Sequence, residues 1–134
     1  MTEHALETVT GPNTLAQMQH TLDAAWAADD VPEYTRMCMD LAVSEIGTNI
    51  IEHSNDGQPV KLRMVVTVER ETVSVVLNDD ARSVAVDLGQ MTGMPHDSSE
   101  RGRGLAIAYR VLDQLWYSRS DQGNHWRLTR KRFE

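Results

Sequence analysis

Leu41-Ala42-Val43-Ser44-Glu45-Ile46-Gly47-Thr48-Asn49-Ile50-Ile51-Glu52-His53-Ser54 decides how this chain is read. Met39, Val43, Ile46 and Ile50 recur at helical spacing, so the stretch forms the apolar stripe of a core helix. Glu45 and Asn49 lie four residues apart and share a face of that helix. A general base and a metal-binding carbonyl oxygen can then lie along one edge of a cleft, which is equipment for phosphoryl transfer.

The helix starts at Asp29-Asp30-Val31-Pro32-Glu33, which supplies acidic caps and a proline in the first turn, and runs to about residue 54, where Asn55-Asp56-Gly57 stops it. Upstream, a strand over residues 4–9 is broken by Gly11-Pro12-Asn13. Leu15, Met18, Leu22, Ala25 and Trp26 then mark a first amphipathic helix capped by Asn13 or Thr14. Downstream, Val60, Leu62, Met64, Val66 and Val68 alternate with mostly polar residues. After a tight turn near Glu69-Arg70-Glu71, Val73, Val75 and Leu77 do the same, giving a hairpin. Residues 79–101 lose periodicity and read as a lid. Gly102-Arg103-Gly104 opens a third helix through about Asp113. A last hairpin pairs residues 115–119 with 125–131 around Ser120-Asp121-Gln122-Gly123. This order predicts one α+β domain over residues 1–134: a two-layer α/β sandwich with a mixed, mainly antiparallel sheet and the helices on one face.

Composition narrows the chemistry. With 134 residues, 40% of them hydrophobic, the chain can bury one core but not two. A net charge of -7 opposes direct binding to nucleic acid, and any triphosphate needs local help from Mg²⁺, backbone amides and a few arginines. The single cysteine, Cys38, excludes an intrachain disulfide and fits a reducing, cytoplasmic setting. No apolar run approaches the roughly 20 residues that span a bilayer, and Met1-Thr2-Glu3-His4 is not a signal peptide. His4, His20, His53, His96 and His125 show no zinc-ligand spacing. No exposed apolar stripe marks a self-association face.

Taken together, three segments resemble a known family. Glu45-x-x-x-Asn49 followed by His53-Ser54, Asp79-Asp80 closing a hydrophobic strand, and Arg101-Gly102-Arg103-Gly104-Leu105-Ala106 look like the three nucleotide-binding boxes of the gyrase and histidine-kinase ATPase superfamily. Among its members the chain is most similar to the bacterial anti-sigma factor serine/threonine-protein kinases. A sensor histidine kinase fits less well, because no helical hairpin bearing a phospho-accepting histidine precedes the boxes.

The resemblance implies that Asn49 gives its side-chain oxygen to Mg²⁺ and that Glu45 orients or deprotonates the attacking hydroxyl. Asp79 would accept a hydrogen bond from the adenine amino group. Gly102 and Gly104 would bring backbone amides to the phosphates, with Leu105 alongside and Arg101 and Arg103 as secondary phosphate contacts. It further implies ATP as cofactor, a STAS-type anti-anti-sigma protein as substrate, a sigma factor held inactive in the alternative state, and a homodimer as a plausible assembly. Two positions depart from the family pattern. Asp79-Asp80-Ala81-Arg82-Ser83 replaces both glycines of Asp-x-Gly-x-Gly. Gly123-Asn124 stands where the family has Gly-Thr, leaving Asn124 to hydrogen-bond near the adenine. A non-catalytic nucleotide-binding module that sequesters a regulator, and a structural adaptor without a nucleotide site, are the competing readings.

Overall fold

A computed structural model of the chain describes residues 1–53, 58–81 and 100–133. The elements run β1 (Thr2–Val9), α1 (Thr14–Ala28), α2 (Glu33–His53), β2 (Lys61–Val68), β3 (Thr72–Asp79), α3 (Glu100–Val111), β4 (Gln114–Ser120) and β5 (Gly123–Lys131). The strands form one five-stranded sheet in the order β1-β2-β3-β5-β4. Every pairing in it is antiparallel, so the sheet is not mixed as the sequence suggested. The physical reason is connectivity: the hairpins β2-β3 and β4-β5 fix two pairings, and α3 carries the chain to the far edge so that β5 returns against β3.

Period-two alternation determines which face is covered. On β2, Leu62, Met64, Val66 and Val68 are buried while Lys61 and Arg63 are exposed. On β3, Val73, Val75 and Leu77 face the same way. Trp126 and Leu128 of β5 complete the covered face. Trp126 stacks at 4.6 Å and a 53° tilt against Tyr117, its cross-strand partner on β4. Against this surface lie Met18, Leu22 and Ala25 of α1, the predicted stripe Met39, Val43, Ile46 and Ile50 of α2, and Leu105 and Ala108 of α3. The opposite face of the sheet carries no helix among the described residues.

Side-chain hydrogen bonds fix how the helices enter and pack. Thr14 Oγ accepts the Gly11 amide at 2.8 Å, closing the turn into α1, whereas Asn13, the other candidate cap, makes no side-chain bond to the helix. Trp26 Nε1 donates to Asp40 Oδ1 at 2.9 Å and ties α1 to α2. Arg130 Nη1 donates to the Val111 carbonyl at 2.8 Å, a cation satisfying an orphan oxygen at the C-terminus of α3.

Candidate functional site

Asn49 lies in the last two turns of α2, beside Ile46 and Ile50, and is only 5% exposed. Glu45, one turn earlier, is half-buried. The core stripe of α2 faces the sheet, so the two polar groups occupy the helix flank next to that stripe, as their spacing requires. α3 packs along α2, and its Leu105 and Ala108 are buried in the core.

The second group of site residues is built by strand register. Asp79 ends β3 directly opposite Asn124 of β5. Both are buried, at 3% and 0% exposure. Asp79 Oδ1 accepts the Asn124 Nδ2 amide at 3.1 Å and the Ala81 backbone N–H at 3.0 Å. Asn124 Oδ1 in turn accepts Arg119 Nη1 at 3.2 Å and the Tyr117 hydroxyl. Two donors on its oxygen orient the Asn124 amide so that its N–H groups face the carboxylate. A buried carboxylate held by two donors is a positioned acceptor, and a buried polar group of this kind discriminates between ligand donors and acceptors. Next to it, Asp80 Oδ1 accepts the Lys61 amide at 2.8 Å and clamps the end of β3 to the start of β2.

Gly123 makes this register possible. Its φ is +126°, and a Cβ there would sit 1.8 Å from the Asp79 carbonyl oxygen and 2.8 Å from its carbon. Only glycine lets β5 begin so close to the end of β3.

The third group sits on α3. The helix starts at Glu100, two residues before the predicted opening at Gly102. Arg101, Gly102, Arg103 and Gly104 are therefore helical and belong to its N-terminal turns, where amides lack intrahelical partners and the dipole favours an anion. Leu105 is buried in the core, so its side chain anchors the helix and only its backbone is available to a ligand. The side chains of His53 and of residues 100–104 lie outside the described set, as do Ser54 and residues 82–99 of the predicted lid.

Two features escaped the sequence reading. Tyr117 and Arg119 support Asn124 from β4; the signal was their two-residue spacing on a strand whose Leu115 and Tyr117 face inward. Tyr34, Met37 and Leu41, which the sequence did not single out, are exposed on α2. Their spacing of three and four continues to Glu45 on the same helix face.

Among the described residues no three His, Cys, Asp or Glu side chains group to hold a metal by themselves, and no helix is long and apolar enough to cross a membrane. The family model for the histidine kinase-like ATPase domain matches residues 9–130. No curated protein matches the chain.

Proposed function

Because the chain belongs to the histidine kinase-like ATPase domain family, we propose that it binds Mg·ATP and transfers the terminal phosphoryl group to a serine or threonine of a STAS-type anti-anti-sigma protein. In its alternative state it holds a sigma factor inactive, as a cytoplasmic partner switch. The observation that carries the reading is the buried Asn49 one helical turn beyond the half-buried Glu45, on a helix packed against α3.

The residues suit Mg²⁺. It prefers hard oxygen ligands, keeps several waters and is commonly held by one or two protein groups together with substrate phosphates. Asn49 offers one such oxygen in a protected place, and when bound the ion would neutralise phosphate charge that a chain of net charge -7 repels. Asp79, oriented by Asn124 and Ala81, would accept the adenine amino group. The N-terminal amides of α3 would meet the phosphates. Glu45 would take the proton of the acceptor hydroxyl as its oxygen bonds to phosphorus, while the ADP oxygen leaves.

A protein acceptor is favoured by the exposed Tyr34, Met37 and Leu41, which lead along α2 to Glu45 and offer apolar area to a partner. Phosphate added to that partner would meet an acidic surface and weaken its hold by like-charge repulsion, returning the module to the sigma factor.

Ala81 and Ser83, in place of two glycines, favour a second reading: a nucleotide-binding module that sequesters a regulator without catalysis. Labelled ATP and a STAS protein separate the two. Transfer by wild type, lost in Glu45→Ala and in Asn49→Ala, is the expected result. No transfer by wild type at saturating nucleotide removes the kinase claim and leaves the binding module.

A further inference from the structure

The outward face of the sheet carries a second constellation. Asn78 and His125 neighbour Asp79 and Asn124 in sequence and are themselves directly paired in register, so period two turns them away from the helices. Ser120 Oγ lies 2.7 Å from His125 Nε2, and His125 Nδ1 lies 2.7 Å from Asn78 Oδ1. The Gln122 amide donates to Ser120 Oγ at 3.1 Å. Asn78 Oδ1 can only accept, so the neutral imidazole that pairs with it carries its proton on Nδ1, and Nε2 accepts the Ser120 hydroxyl proton. A hydroxyl, a base and a group that orients the base stand in line, the arrangement that activates serine nucleophiles.

The surroundings can receive a small molecule. A concavity of about 860 Å³, lined among others by Glu7, Lys61, Arg63, Asn78, Asp79 and His125, opens beside the relay. Ser120 itself is exposed, so an incoming carbonyl carbon can reach Oγ.

We propose that Ser120 is an acyl-acceptor site, taking an acyl group from a small activated ester or thioester with His125 as general base and Asn78 as the residue that positions His125. The Ser120 oxygen bonds to the carbonyl carbon as its proton passes to His125 Nε2. The bond from that carbon to the leaving oxygen or sulfur breaks, and the leaving group departs with the electron pair and receives the proton. No oxidant or reductant takes part.

The probe is p-nitrophenyl acetate, applied to the full chain, with release of p-nitrophenolate followed by absorbance and the acetylated peptide identified by mass spectrometry. One acetyl group on the peptide containing Ser120 is expected, absent in Ser120→Ala and retained in Ser118→Ala. General-base catalysis typically contributes about 10²–10⁴-fold, so His125→Gln should slow acetylation of Ser120 by about 100-fold or more, and Asn78→Ala by a smaller factor. Thermal melting of each variant establishes that it is folded. Acetyl groups only on lysines or the N-terminus, or equal Ser120 labelling in wild type and a folded His125→Gln, would overturn the assignment.

Discussion

Gly123→Ala tests the junction that builds the proposed adenine end of the site. The added Cβ would stand 1.8 Å from the Asp79 carbonyl oxygen, 2.8 Å from its carbon and 2.9 Å from Asp80 Cα, and all three are backbone atoms with no rotamer to yield. Real Cβ contacts stay beyond 3.0 Å, so the start of β5 must move away from the end of β3. Alanine at φ +126° adds strain of about 1–3 kcal/mol. Opening the pair also removes the Asn124–Asp79 bond, a further loss of about 1 kcal/mol. Together these come to roughly 2–4 kcal/mol, which for a domain of this size lowers the melting temperature on the order of 10 °C. The assay is thermal unfolding by circular dichroism, with and without Mg·ATP. The variant should melt lower and lose most of the nucleotide-induced rise, because Asp79 no longer holds its position. A melting temperature within about 2 °C of wild type and an unchanged response to Mg·ATP would show that this contact neither strains the fold nor positions Asp79.

Gly47→Ala provides the contrast. Its Cβ would meet Met18 Cε at 2.9 Å and Leu15 Cδ2 at 3.1 Å, both ends of side chains, and the thioether can swing aside. The gain of about 0.5–1 kcal/mol in helix propensity offsets the crowding, so denaturant unfolding should place this variant within about 1 kcal/mol of wild type. Asn124→Ala removes the partner of Asp79, Tyr117 and Arg119 together and should destabilise by about 1–3 kcal/mol in urea titrations. Asp79→Asn should narrow the preference for ATP over ITP by about tenfold or more, because the altered acceptor no longer rejects the ligand lacking the amino group; equal preference ratios in competition binding would remove Asp79 from adenine recognition.

Much of this arrangement was legible in the chain. The stripe Met39, Val43, Ile46 and Ile50 identified α2 because a helix burying one face leaves a 3.6-residue period. The alternation on β2 and β3 revealed a hairpin with one covered face. Other parts needed the third dimension. Gly102 and Gly104 read as the opening of α3, yet backbone amides from Glu100 onward already follow helical geometry, since glycine weakens a helix without forbidding it. Asn124 was picked out as a candidate, but its supporting donors were not, because only register places Tyr117 and Arg119 of β4 behind it. The exposed Tyr34, Met37 and Leu41 were hidden for a related reason: α2 carries apolar residues on more than one face, and the sequence does not say which face its neighbours leave uncovered.

Calorimetric titration of Mg·ATP into wild type and Asn49→Ala tests most directly whether a nucleotide site is ordered around α2. One-site binding by wild type, weakened by at least about tenfold in a folded Asn49→Ala and in wild type stripped of Mg²⁺, is the predicted result. Absence of binding to wild type, or equal affinity in both proteins, would contradict it.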